Sequence, residues 1–98
     1  MASTYTSNAS AAPVSIRDID VRLLPAHMQR VYQEHAELKL KGVALAAFIT
    51  KNGLFTTLVG EEQFDLRDQL SYMDKYREVL ERRLVRAWKA LDAAAPQA

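Results

Sequence analysis

The stretch that decides the fold is residues 28–53, MQRVYQEHAELKLKGVALAAFITKNG. Its mostly apolar positions recur at spacings that alternate between three and four residues, the heptad pattern of one face of an α-helix. These seam positions are Met28, Val31, His35, Leu38, Gly42, Leu45 and Ile49. Pro25 stands just upstream, where the first turn of a helix tolerates proline, and Asn52-Gly53 is a stop signal that favours left-handed backbone. We therefore predict a helix from residue 25 to Lys51.

A second heptad pattern follows the connector LFTTLVG, in which Leu54, Phe55 and Leu58 are expected to plug the end of a hairpin. The seam positions of this second helix, predicted from Gly60 to about Ala93, are Leu66, Leu70, Met73, Arg77, Leu80, Leu84, Ala87 and Leu91. A connector of fewer than ten residues forces the two helices to lie antiparallel. The predicted fold is all-α, an antiparallel two-helix hairpin that resembles a coiled coil and spans residues 25–93.

The chain outside the hairpin divides into tails and an arm. Residues 1–13 and 94–98 are predicted to be flexible tails. Residues 14–24 form an apolar N-terminal arm, for which a short helical turn opened by Ser15 is favoured over an extended strand. The second helix is the longer one by roughly 9 Å at 1.5 Å per residue. Its overhang carries Trp88, which we expect Ile19, Val21 and Leu23 of the arm to cover.

Each predicted helix carries a second apolar stripe outside the hairpin seam. The members are Ala36, Leu40, Val43 and Ala47, with Phe48 beside them, on the first helix and Tyr72, Tyr76, Val79 and Arg83 on the second. Extra stripes on both helices indicate more than one packed face. Because the arm is too short to cover them all, we predict that the hairpin packs in a homo-oligomer.

Composition and motifs limit the classes of function. The 98 residues carry a formal net charge of +1 and no cysteine, and no apolar run approaches the roughly 20 residues of a membrane span. We therefore expect neither DNA nor a membrane as a partner. No enzyme motif, and hence no catalytic residue, is found. His27 and His35 are eight residues apart on one helix, too far to hold one metal ion, so neither a metal nor a cofactor is expected.

His35 and Arg77 interrupt the two seams and allow two interpretations. In the first, polar seam residues fix the register, with the Arg77 head reaching Glu34 or Glu37, while Gly42 allows close approach of the backbones. In the second, they belong to an intersubunit pocket for a nucleotide-sized anion, since arginine binds phosphate through two parallel bonds and tyrosine stacks on bases. The ligand-binding candidates are Tyr72, Lys75, Tyr76, Arg77, Arg83 and His35.

The hairpin resembles a family of small tailed-phage accessory proteins over residues 30–84. The matching positions are Arg30-Val31, Glu34, Glu37-Leu38, Lys41, Leu45, Phe48-Ile49, Phe55, Leu58, Glu61-Glu62, Gln69-Leu70, Met73, Tyr76, Val79-Leu80 and Arg82-Arg83. Lys39 and Gly42 depart from that pattern. The resemblance implies a phage protein that acts in the cytoplasm of a host bacterium.

Small phage proteins of this kind often neutralise host defence stoichiometrically. They do so by sequestering a signalling nucleotide or by blocking a host protein. We expect a non-catalytic binding protein, and the surface of Tyr72, Tyr76, Arg77 and Arg83 favours one that sequesters a nucleotide signal, such as a cyclic nucleotide or an ADP-ribose derivative. Two alternatives stay open: an inhibitor that docks onto a host defence protein, and a structural protein of virion assembly.

Overall fold

The computed structural model describes residues 14–94, and in this part of the chain all regular structure is helical. Two short 3₁₀ helices, Ile16–Asp18 and Val21–Leu23, precede helix α1, Ala26–Lys51. A third 3₁₀ helix, Gly53–Thr57, connects α1 to helix α2, Gly60–Ala94. The two long helices pack against each other, so the predicted all-α hairpin is confirmed. Within residues 14–94, none of the helices is both long enough and apolar enough to cross a bilayer.

The hairpin seam lies where the heptads place it. Every predicted seam position of both helices is buried or half-buried, and Leu80 and Leu84 are almost completely inaccessible. Alignment of the two seams about the connector predicts Met73 opposite Gly42. A Cβ atom added at Gly42 would lie 4.0 Å from Leu70 Cδ1 and 3.9 Å from Asp74 Oδ1, and these two residues bracket Met73. The antiparallel register therefore follows the heptad alignment.

The N-terminal arm covers the open end of the hairpin through two capped turns. The Ser15 hydroxyl and the Asp18 carboxylate form a reciprocal capping box around the first 3₁₀ helix. Ile19 and Leu24 are buried in the core cluster that Trp88 packs against, so the arm covers the overhang as expected. Leu23 lines a hollow with Trp88 and Leu91, as predicted, but it is 61% exposed, and its neighbour Leu24 fills the core instead.

The connector differs from its prediction in the backbone conformation at Asn52-Gly53 and in the burial of Leu54. Asn52 ends α1 in extended conformation, with φ −97° and ψ 122°, and its side chain accepts a hydrogen bond from Leu54 N. No described residue has positive φ, so the expected left-handed stop is wrong. Phe55 plugs the hairpin end, edge-on to Phe48, whereas Leu54 is exposed instead of contributing to the plug.

Candidate functional site

A polar network crosses the hairpin seam at His35. Its Nε2 lies 2.8 Å from Glu81 Oε2, and the Arg77 guanidinium donates to the same oxygen through Nη1, also at 2.8 Å. Arg77 Nη2 lies 3.9 Å from Asp74, so the prediction that Arg77 reaches Glu34 or Glu37 is wrong. His35 is 4% exposed, and its contact with Glu81 links α1 to α2. Both interrupting residues thus have protein partners, as the register interpretation expects.

A different surface carries the two tyrosines. Tyr72, Tyr76, Val79 and Arg83 recur at spacings of four, three and four residues and share one side of α2, which we call the tyrosine flank. Tyr72 is 67% exposed, and Tyr76 and Val79 are about two-fifths exposed. A surface that combines exposed aromatic rings with an arginine can bind a flat, anionic ligand.

One acidic and one basic neighbour, Glu34 and Arg83, act on the pKa of Tyr76 in the tyrosine flank. The Tyr76 hydroxyl donates a hydrogen bond to the Glu34 carboxylate. This bond raises the pKa of Tyr76, because ionisation would place a phenolate beside a carboxylate. The positive charge of Arg83 acts in the opposite direction, so its field reaches the tyrosine hydroxyl. At neutral pH Tyr76 is therefore a protonated donor, which suits binding better than proton abstraction.

The two ends of the tyrosine flank differ in charge. At the connector end, a shallow hollow of about 470 Å³ is lined by Asp65, Asp68 and the two tyrosines, among others. At the open end of the hairpin, a hollow of about 380 Å³ is lined by His27, Arg83 and Arg86 over an apolar floor that includes Leu91. The exposed tyrosines thus line the acidic hollow, and the basic hollow lies further along α2, toward the open end of the hairpin.

The structure divides the predicted ligand-binding residues into two groups. Tyr72, Tyr76 and Arg83 lie together on the tyrosine flank, with Lys75 exposed at its outer edge. His35 and Arg77 meet instead at Glu81 in the seam.

Sequence reasoning missed several residues of both groups. Glu81 was missed in the seam, and Asp65, Asp68, Arg86 and His27 were missed in the two hollows beside the flank. Extending the four-three spacing of the second stripe in both directions would have added Asp65 and Arg86.

The second apolar stripe of α1 faces another direction. Val43 follows Glu34 by nine residues, which is two and a half helical turns, so it lies on the side of α1 opposite the Tyr76 contact. Leu40 is 72% exposed and Val43 is 62% exposed. The two stripes therefore form separate surfaces on opposite sides of the hairpin.

Comparisons with known proteins identify a family for the hairpin. No curated protein and no solved structure matches the chain. A protein-family model, described as Sequestin, matches residues 25–86. The matched region begins at the cap of α1, includes the whole tyrosine flank and leaves out the N-terminal arm. Because it covers well over half of the 98 residues, the chain belongs to the Sequestin family.

Proposed function

We propose that this protein sequesters a nucleotide signal without transforming it, and that it does so as a phage protein in the cytoplasm of a host bacterium, against host defence. The family description is compatible with a sequestering protein. The observation that carries the proposal is the tyrosine flank, where the exposed rings of Tyr72 and Tyr76 stand in line with Arg83.

The chemistry of this surface matches the parts of a nucleotide. Tyrosine rings stack on bases of any sequence, and a guanidinium binds a phosphate through two parallel hydrogen bonds. Arg86 and His27 stand beside Arg83 in the basic hollow and supply further donors. The hollows are open in one protomer, whereas ligand sites bury most of the ligand surface. The proposed pocket is therefore closed by a second subunit.

A screen by thermal shift tests the proposal, with cyclic dinucleotides, cyclic trinucleotides and ADP-ribose derivatives as probes. A ligand at 100 times its Kd stabilises the folded state by ~2.7 kcal/mol, a visible shift for a small domain. Extraction of the bound probe and its chromatography should return it chemically unchanged. Product formation would contradict a sequestering role, and no shift with any of these probes would remove the support for a nucleotide ligand.

Variants locate the site once a probe binds. We expect Tyr72→Ala or Tyr76→Ala to lower binding by ~1–3 kcal/mol each. Arg83→Lys keeps the positive charge but loses the two parallel N–H donors of the guanidinium, so the affinity for the probe should still fall. Arg77→Leu is the matched control, because its guanidinium is already bound to Glu81 in the seam. Full loss of binding in Arg77→Leu, with the tyrosine variants unaffected, would move the site from the flank to the seam.

A second candidate function is the inhibition of a host defence protein by direct docking. The observation that favours it is the exposed Leu40 and Val43 stripe, since an exposed apolar patch can form a protein interface. The double variant Leu40→Glu, Val43→Glu distinguishes the two functions. Loss of counter-defence activity with nucleotide binding intact would support docking, whereas unchanged activity would exclude this stripe.

A further inference from the structure

We propose that a second copy of this chain packs on the tyrosine flank, antiparallel to the first, about a two-fold axis that passes between Lys75 and Tyr76. In this arrangement the acidic end of one flank faces the basic end of the other. The pairing follows from the flank itself, and only its consequence for a ligand pocket rests on the proposed function.

The tyrosine flank has the pattern of a second helix–helix seam. When the flank is extended at both ends, its positions are spaced four, three, four, three, four and three residues along α2, as in the hairpin seam: Asp65, Gln69, Tyr72, Tyr76, Val79, Arg83 and Arg86. The apolar members stand in the middle, where Tyr72, Tyr76 and Val79 are exposed in the protomer. An apolar centre between polar ends is the usual anatomy of a protein interface.

Opposite charges on α2 are placed symmetrically about the proposed axis. Asp68 and Arg83 are each seven and a half residues from the midpoint between Lys75 and Tyr76, about 11 Å along the helix. Asp65 and Arg86 are each ten and a half residues from it, about 16 Å. A two-fold axis there brings both aspartates of one copy onto both arginines of the other. A parallel pairing would instead oppose like charges, so the charges select the antiparallel orientation.

These four charged residues form no ion pair within the described structure. The ion pairs among residues 14–94 involve Arg22 with Asp20, His35 with Glu81, and Arg77 with Asp74 and Glu81. Asp65, Arg83 and Arg86 are exposed, and Asp68 is half-exposed. A two-fold interface uses the same patch on both copies, so each contact forms twice and one chain supplies both halves.

The pairing also gives the proposed ligand site its missing wall. Arg83 of the second copy faces Asp68, one helical turn from Tyr72 of the first copy. At each of these two equivalent places, a nucleotide that stacks on Tyr72 of one copy and binds Arg83 of the other displaces the Asp68 carboxylate from that arginine.

Reversal of the flank charges tests the pairing, with the mass of the protein in solution as the readout. Light scattering after gel filtration measures this mass at tens of micromolar protein, without any nucleotide. The wild-type chain should give at least twice 11.1 kDa, about 22 kDa. The double variant Asp65→Arg, Asp68→Arg and, separately, the double variant Arg83→Asp, Arg86→Asp should each weaken association at least tenfold, because each opposes like charges at four places in the dimer. Mixing the two variants in equal amounts should restore a dimer that contains one of each. The control Arg82→Asp, Lys89→Asp reverses two charges on the same end of α2 but off the flank, so its mass should not change.

Helicity measured by circular dichroism confirms that each variant still folds. A monomeric wild-type chain, or two flank variants that keep the wild-type mass, would overturn the pairing. So would a mixture that stays monomeric. Because these masses need no ligand, a correct dimer that binds none of the nucleotide probes would contradict the proposed function and leave the pairing standing.

Discussion

Gly42→Ala is expected to stabilise the hairpin, although the sequence suggested that glycine is needed there for close approach of the helices. Gly42 is buried at the middle of the α1 seam. An added Cβ would meet only Asp74 Oδ1 at 3.9 Å and Leu70 Cδ1 at 4.0 Å, which is ordinary van der Waals contact with two side chains. The structure therefore has room for a methyl group at this position.

Two favourable terms set the magnitude. Alanine exceeds glycine in helix propensity by ~1 kcal/mol, because glycine loses more backbone entropy when it becomes helical. Burial of one more carbon adds up to about 0.8 kcal/mol. We therefore expect the free energy of unfolding to rise by about 1–2 kcal/mol, and each kcal/mol raises Tm by roughly 4–8 °C in a domain of this size.

Urea denaturation followed by circular dichroism at one fixed protein concentration measures this change, because association would otherwise shift the apparent stability. The matched control is Ala44→Gly, two residues along the same helix at an exposed position, which should lose about 1 kcal/mol. The double variant should lie close to the wild type. A loss of stability in Gly42→Ala, while Ala44→Gly behaves as expected, would refute the geometric reasoning and restore the close-approach interpretation.

Three further predictions test the arm, the seam and the flank. Ile19→Ala should lower the free energy of unfolding by ~2–5 kcal/mol in thermal or urea denaturation, whereas Leu23→Ala, at an exposed site of the same arm, should change it by less than about 0.5 kcal/mol; equal effects would contradict the observed arm packing. Glu81→Ala leaves a buried histidine without its partner and should cost about 1–3 kcal/mol by urea denaturation, and a neutral result would show that the network is dispensable. In an ultraviolet titration Tyr76 should ionise above the usual tyrosine range, and Glu34→Gln should lower that pKa, while an unchanged profile would exclude the Tyr76–Glu34 bond. Since the folded-state pKa of Tyr76 is raised, its contribution to stability is complete below the unfolded-state pKa and is lost as pH rises through the folded-state pKa.

The sequence by itself determined the two helices, their order and their register. Heptad spacing fixes which side of a helix is buried, and a short connector allows only the antiparallel return, so Leu80 and Leu84 could be assigned to the core from spacing alone. The covering arm was also predictable, because Ile19 is one of the few apolar residues at the overhanging end. These features depend on periodicity and chain length, which are properties of sequence.

Tertiary structure decided what periodicity does not encode. Arg77 binds Glu81 one turn further along the same helix, a contact that i,i+4 spacing allows, whereas only the positions of the two backbones place His35 of α1 against Glu81 as well. The space beside Gly42 depends on the rotamers of residues on the other helix. Spacing gives the angle of a residue around its helix, whereas the contacts across the seam are needed to place the stripes of α1 and α2 on opposite sides of the hairpin. The tyrosine flank is therefore separate from Leu40 and Val43. Each helix faces its partner along the seam, so the exposed stripes of the two helices lie on different surfaces of the hairpin.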